Sequence, residues 1–279
     1  MPLKECSPPY TWLDIIMNIF IRELKANRKA LIIWSVCLFL LVLSGMGKYT
    51  AYSSGNGNDI FEKMPFTLKA LLGIGSFDVT TISGFFAFLF PYIELTAAIH
   101  AVLLGSGIIA KEERDKTTEF LMVKPVSRTA VITAKLLAAA VNVLVVNVVS
   151  LISSLLMVAA YNTGESINGE LLYFFASMLL VQFVFLALGA LLAALLKKPK
   201  ASGSFAAAIL FGAYFVSKIT DLTDRVNAIN IFSPFKYFDF VKIVNGDGLD
   251  LIIVLLTLLV TMVFSALSYY FYLKRDLRV

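Results

Sequence analysis

The sequence predicts an all-α, polytopic membrane protein with six transmembrane helices. Of the 279 residues, 59% are hydrophobic and only 15% are charged, whereas a soluble domain has about 45–50% apolar and about 25% charged residues. The mean hydropathy is +0.83. The sequence also contains six apolar runs, and each can supply the roughly 20 helical residues that cross a hydrocarbon core of about 30 Å.

The first element is an amphipathic helix within the N-terminal segment, residues 1–27. In residues 11–25, TWLDIIMNIFIRELK, apolar side chains recur at helical spacing, and charged or amide side chains fall on the other side. The pattern is typical of an elbow helix that lies in the cytoplasmic membrane interface. The alternative is a cytoplasmic extension of the first span.

The transmembrane domain is predicted over residues 28–273, with a tail at 274–279. The spans cover residues 28–47, 84–110, 133–160, 171–196, 201–219 and 250–273. The fifth is the shortest and is rich in alanine and glycine, which suits close packing between membrane helices. Short amphipathic segments outside the spans, at 61–73 and 229–240, predict extracellular interfacial helices, because their aromatic residues favour the membrane interface.

The distribution of basic residues predicts the orientation. If the N-terminus is cytoplasmic, the inside segments 1–29, 111–135, 197–200 and 274–279 hold 17 of the 24 Lys and Arg residues. Because cytoplasmic loops are enriched in Lys and Arg, we expect both termini in the cytoplasm. A signal peptide is not expected, since its n-region would be nearly 30 residues long.

The segment between the second and third spans is more charged than a simple reversal of the chain requires. In EERDKTTEFLMVKPVSR, residues 112–128, six of the first eight residues are charged. We predict a short cytoplasmic helix from Thr117 to Val123 that presents Phe120 and Leu121 beside Glu119. Such a mixed apolar and acidic surface suggests a docking element.

The end of this segment carries helix stop and start signals. Pro125 cannot continue the hydrogen-bond ladder and should end the short helix. Ser127 can cap the helix of the third span, and Arg128 and Lys135 are expected to anchor the return of the chain to the membrane.

This segment resembles the cytoplasmic loop of ABC-2-type transporter permeases. In that family a Glu ends the second span, a Thr–Glu–Leu run follows, and a Pro–Val–Ser–Arg segment leads to a Lys in the third span. The matching residues are Glu113, Thr118, Glu119, Leu121, Pro125, Val126, Ser127, Arg128 and Lys135. The segment FSPFKYFD at 232–239, the N-terminal helix and the six-span layout are also similar, so the resemblance covers essentially the whole chain.

The resemblance implies the membrane subunit of an ABC exporter, with a coupling helix in the loop 111–132 seated on a separate ATPase subunit. The implied docking residues are Glu112, Glu113, Thr117, Thr118, Glu119, Phe120, Leu121, Pro125, Val126, Ser127 and Arg128. Glu112 and Glu113 also lie where a cytoplasmic gate would be. The chain lacks a G-x-x-x-x-G-K-[ST] phosphate loop, so it is not expected to be an enzyme or to bind a cofactor itself. ATP and Mg²⁺ are expected on the partner.

The expected assembly is two permeases, of the same or a sister chain, and two ATPases in a bacterial plasma membrane. Besides these subunits only the lipid bilayer is an expected partner, and nucleic acid is not. The absence of a wide polar stripe in any span favours a hydrophobic or amphipathic substrate, and related permeases are associated with peptides, lipids, drugs and ions. Nothing in the sequence selects among these.

Polar residues within the spans are candidates for a pathway or a gate. They are Glu94, His100, Asn142, Asn147 and Gln182. Glu94 and His100 lie six residues apart, about 240° around a helix, so a proton relay between them is not favoured. Glu94 can be an outer gate or packing partner, a pathway residue or an ion-coupling group. His100 is expected to form an interhelical hydrogen bond, and the other three either join helices or contact substrate.

Two other classes of function are alternatives to an ABC permease. A secondary transporter coupled to ions or protons through Glu94 and His100 predicts inverted repeats and broken helices, but no convincing repeat is visible, and Pro91 is the only proline within a span. An intramembrane enzyme needs a catalytic pair at matched depth, and His100 has no evident nucleophile on its face. With one His, 2 Cys and no HExxH or CxxC motif, a metal site is not predicted.

Overall fold

The computed structural model describes residues 12–53, 65, 68, 77–116, 126–161, 166–196, 198–222 and 224–275. The regular elements in these ranges are all helical. They are α1 (Trp12–Met46), α2 (Tyr49–Ser53), α3 (Ile82–Arg114), α4 (Arg128–Tyr161), α5 (Asn168–Leu195), α6 (Pro199–Leu222), two 3₁₀ helices (Asp224–Phe232 and Pro234–Lys236), α7 (Phe240–Val244) and α8 (Leu251–Lys274). Within this part of the chain six helices, beginning with α1, are long and apolar enough to cross a membrane. The predicted six-span, all-α fold class is therefore confirmed.

The structure differs from the prediction at the N-terminus. The predicted elbow helix and the first span form one continuous helix, α1, of 35 residues. The junction sequence, KANRKA at residues 25–30, consists mostly of good helix formers and has no proline or glycine to break the helix. At about 1.5 Å per residue the helix exceeds the thickness of a hydrocarbon core, so its amphipathic part extends beyond the span, as in the alternative prediction.

Two spanning helices extend clearly past the predicted apolar limits at their charged ends. The second predicted span, 84–110, is part of α3, which continues to Arg114, and the third, 133–160, is part of α4, which begins at Arg128. Hydropathy marks only the part of a helix that suits lipid, whereas backbone hydrogen bonding continues through its charged end. Two predicted elements, the interfacial segment 61–73 and the short helix Thr117–Val123, lie outside the residues described, apart from the isolated positions 65 and 68.

Helices α3 and α5 form the centre of the bundle. They have the largest buried fractions of the six spanning helices, and they pack more extensively against each other than any other pair of elements in the described structure. Two glycines permit this close approach. A Cβ atom on Gly105 would lie 2.2 Å from the Leu186 carbonyl oxygen, and one on Gly189 would lie 2.3 Å from the Val102 carbonyl oxygen. The other long helices surround this pair.

The segment between α6 and α8 closes one end of the bundle. The two 3₁₀ helices and α7 occupy it, where short helical pieces were predicted. Ser233 is fully buried and its hydroxyl donates to the Ala213 carbonyl at 2.8 Å, which fixes the segment to α6. Asp239 and Asp250 cap α7 and α8, because their Oδ1 atoms accept hydrogen bonds from backbone N–H groups two residues later.

The start of α3 lies at the same end. Thr81 caps the helix by accepting a hydrogen bond from Gly84 N at 3.1 Å. Just before it, Thr80 donates to Asp78 Oδ1 through its hydroxyl at 2.6 Å and its N–H at 3.0 Å. These bonds lower the pKa of the Asp78 carboxyl group below its ordinary value. The turn that leads into α3 is thus fixed by local hydrogen bonds.

Candidate functional site

Three consecutive residues at the C-terminal end of α3 form ion pairs with three different parts of the chain. Lys111 Nζ lies 2.6 Å from Glu23 Oε2 on α1. Glu112 pairs with Lys135 on α4. Glu113 pairs with Arg275, the residue after α8, at 2.6 Å between Glu113 Oε2 and Arg275 Nη2. Successive helical residues point about 100° apart, so each side chain reaches a different neighbour. We call these six residues the charged end.

The pair between Glu112 and Lys135 is the most buried of the three. Lys135 is 1% exposed and Glu112 is 8% exposed. Lys135 Nζ also donates to the Ile108 carbonyl at 2.7 Å, so the ammonium group is bonded to two acceptors on α3. A buried ion pair adds little net stability, because both charges lose their hydration. Its geometric effect is to fix the register of α3 against α4.

Arg275 and Arg128 tie the end of α8 to the same region. Besides Glu113, Arg275 donates through Nη1 to the Ala193 carbonyl near the end of α5. A cation there also interacts favourably with the negative end of the helix dipole. Arg128, the first residue of α4, donates through Nη1 to the Arg275 carbonyl at 2.8 Å. Five of the six spanning helices are thus joined at the charged end.

Ser127 caps the N-terminus of α4, as predicted from the sequence. Ser127 Oγ accepts a hydrogen bond from Ala130 N at 3.2 Å, which satisfies one of the unpaired donors at a helix N-terminus. Val126 is partly buried against the core cluster that contains Val131 and Ile132. Of the residues proposed for docking, Glu112, Glu113, Val126, Ser127 and Arg128 therefore flank the loop, while Thr117, Thr118, Glu119, Phe120, Leu121 and Pro125 lie outside the described residues.

The polar residues of α4 and α5 meet between these helices. Asn147 Nδ2 donates to Gln182 Oε1 and to the Phe175 carbonyl, both at 3.1 Å. Asn142 donates within its own helix, to the Ala138 carbonyl at 2.7 Å. All three polar side chains are buried. The contacts of Asn147 and Gln182 are those of side chains that join helices, one of the two alternatives that the sequence leaves open.

Glu94 and His100 face different helices. His100 is 3% exposed, and its ring centroid lies 5.5 Å from that of Trp34 on α1. Its Nδ1 atom has no hydrogen-bond partner in the described part of the chain. Glu94, 2% exposed, lines a pocket together with Lys218 on α6. This geometry offers no direct proton path between the two groups, as expected from their helical spacing.

The comparison with protein families gives the identity of the chain. A family model described as ABC-2 family transporter protein matches residues 17–277. The chain belongs to this family. The match extends from the amphipathic part of α1 to residue 277 and includes the loop between α3 and α4, which carries the resemblance in sequence. A comparison with curated proteins found no match.

Membership in the ABC-2 transporter family supports the assignment of the chain as a permease subunit, which is the multi-pass membrane protein of an ABC transporter. Such subunits are generally not catalytic themselves, and membership implies association with an ABC ATPase. The ABC-2 chain places its charged end directly beside the loop that links α3 to α4. Sequence reasoning identified Glu112, Glu113 and Lys135 but missed Glu23 and Arg275, which are distant in sequence and carry no local signal.

Proposed function

We propose that this permease couples ATP hydrolysis on a separate ATPase subunit to export, and that the charged end faces the cytoplasm. The observation that supports the proposal is the set of ion pairs at Lys111, Glu112 and Glu113. These pairs join the helix before the loop to α1, α4 and the end of α8. A force applied to the loop therefore reaches several spanning helices through short, charged contacts.

The proposed sequence of events uses the chain as a mechanical linkage. Residues 117–124 dock on the ATPase, and ATP and Mg²⁺ bind to that subunit. Movement of the ATPase displaces the loop. Because Glu112 and Lys135 hold α3 and α4 in one register, the two helices move together rather than sliding. Glu113 and Arg275 transmit the displacement to α8, and Lys111 and Glu23 transmit it to α1.

We further propose two permeases and two ATPases in the working unit. The outer helices of the bundle have large exposed apolar side chains, among them Leu13, Ile33, Leu156, Leu251 and Ile252. Such surfaces suit lipid or a second permease. The exported substrate is proposed to be hydrophobic or amphipathic, since the polar side chains between α4 and α5 bond to one another and to the backbone instead of lining an open path.

Substitution of Phe120 tests the docking. Phe120→Asp is expected to abolish copurification of the ATPase and ATP-dependent export, because a buried charge at an interface core without a partner is strongly unfavourable. Phe120→Leu is the matched control and should retain both, since it keeps an apolar side chain. The measurement is affinity purification from native membranes, followed by mass spectrometry for a phosphate-loop ATPase. Full export by the aspartate variant would refute the docking assignment.

A further inference from the structure

The pocket beside Glu94 lies at the end of the bundle opposite the charged end. Glu94 is 17 residues before Lys111, or about 25 Å along α3. Three elements form most of the walls, and Phe77, which precedes α3, completes them. From α3 come Ala87, Phe88, Pro91 and Glu94; from α6 come Tyr214, Ser217, Lys218 and Asp221; and from the closing segment come Phe235, Lys236, Phe238 and Phe240.

Glu94 is the buried acidic side chain of this pocket. Its side chain is 2% exposed and has no hydrogen bond or ion pair within 4 Å in the residues that the structure describes. A buried carboxylate without a partner is costly. One turn away, Pro91 lacks the N–H that would otherwise bond to the Ala87 carbonyl. Glu94 and the Ala87 carbonyl are therefore acceptors on this side of the pocket, and the charge of Lys218 acts on Glu94 from a greater distance.

The opposite side of the pocket has a surplus of donors. Lys236 and Lys218 share one carboxylate, that of Asp221. The Lys218 contact with Asp221 is long, at 3.4 Å, and its Nζ atom also lies 5.6 Å from the centroid of the Tyr214 ring. Two cations against one anion leave a net positive charge there. The pocket therefore has an acidic side chain, Glu94, on one side and a net positive charge at the two lysines on the other.

Aromatic rings complete the pocket. Phe77, Phe88, Tyr214, Phe235, Phe238 and Phe240 line it, and the negative faces of such rings attract ammonium groups. The surface next to it is apolar, since Phe215 and Ile219, which adjoin Tyr214 and Lys218 in sequence, are 63% and 54% exposed. A ligand with a charged head in the pocket can therefore leave an apolar chain against α6.

From these features we infer that the pocket binds the zwitterionic head of an amphiphile. The ammonium group lies against Glu94 and the aromatic rings, and the phosphate or carboxylate group lies against Lys218 and Lys236. The binding site is inferred from the geometry of the pocket. Its role as the site of the exported substrate rests on the proposed export function. The same headgroup chemistry also occurs in bilayer lipids, so the test must separate a cargo from a resident lipid.

The binding test uses the full chain in maltoside micelles, with lysophosphatidylethanolamine as the probe and native mass spectrometry as the measurement. We expect this zwitterion to bind about tenfold more tightly than lysophosphatidic acid, which lacks the ammonium group, or dodecylammonium, which lacks the phosphate. Glu94→Gln should remove the preference over lysophosphatidic acid. Lys236→Gln should weaken binding of both phosphates. Asp247→Asn, an exposed site that does not line the pocket, is the control and should change nothing.

The outcomes separate this inference from the proposed function. Equal binding of the zwitterion to the wild type and to Glu94→Gln, with both proteins unfolding at the same temperature, would overturn the headgroup site. In vesicles that contain the permease and its ATPase, ATP-dependent transfer of the probe between leaflets would support the inference that the bound amphiphile is the exported substrate. Binding that depends on Glu94 without such transfer would refute export of this class and leave a resident lipid site.

Discussion

Lys135→Met is expected to destabilise the protein by about 3–5 kcal/mol, because it leaves Glu112 buried without its cation. Glu112 is 8% exposed and lies inside the contact between α3 and α4. The substitution also removes the donor to the Ile108 carbonyl. The methylene stem of the side chain is largely retained by methionine, so the loss reports mainly the charge. The measurement is thermal unfolding of the purified chain in detergent.

A double variant separates the pair from the packing. Glu112→Gln combined with Lys135→Met removes both charges, and we expect it to be more stable than Lys135→Met alone, because no uncompensated charge remains. The coupling free energy between the two sites should be about 0.5–3 kcal/mol. If the two single changes add without coupling, the ion pair does not connect α3 to α4 as described. Even a stable double variant should lose export, since the register of the two helices is no longer fixed.

Gly189→Ala is expected to disrupt the centre of the bundle. The added methyl group would lie 2.3 Å from the Val102 carbonyl oxygen and 2.9 Å from Ser106 N, so α3 and α5 must move apart. Overpacking typically destabilises by about 1–3 kcal/mol. Here the obstacle is backbone that cannot rotate away, and we expect an effect at the upper end of that range. Gly105→Ala should destabilise the protein by a similar amount, because its methyl group would clash with the Leu186 carbonyl oxygen.

Gly107→Ala is the matched control for these substitutions. Gly107 lies on α3 two residues after Gly105, but a Cβ atom there has no neighbour within 4 Å. Alanine has a better helix propensity than glycine by about 1 kcal/mol, so this variant should be as stable as the wild type or slightly more stable. Thermal unfolding of the three variants side by side gives the comparison. Equal stability of all three would contradict the close approach of α3 and α5.

The fold was largely predictable because the bilayer imposes a simple rule on the sequence. Apolar runs of sufficient length gave all six spans, and the Ser127 cap followed from a local start signal that the structure confirms. The continuity of α1 was harder to predict. An amphipathic segment next to an apolar one gives the same pattern whether the helix bends between them or continues, and only the lack of a breaker at residues 25–30 favours the latter.

The site was predictable only in part, because ion pairs between distant residues have no sequence period. Glu112 and Glu113 were identified through the resemblance of the loop to that of ABC-2-type permeases and their position at the end of a span. Arg275, the partner of Glu113, lies 162 residues away in sequence, and nothing local indicates it. The pocket at Glu94 shows the same limit. The location of Glu94 within a span followed from the apolar run. The facing residues Lys218, Asp221 and Lys236 could be identified only from the packing of α3, α6 and the segment between α6 and α8.

The central proposal is that an ATPase on the cytoplasmic side drives this permease through the loop between α3 and α4. The most direct test is a photo-crosslinking amino acid at position 119 in intact cells, with the adducts identified by mass spectrometry. We predict a single major adduct with a phosphate-loop ATPase, and we expect its yield to change when cellular ATP is depleted. Adducts only with proteins outside the cytoplasm would contradict both the orientation and the coupling.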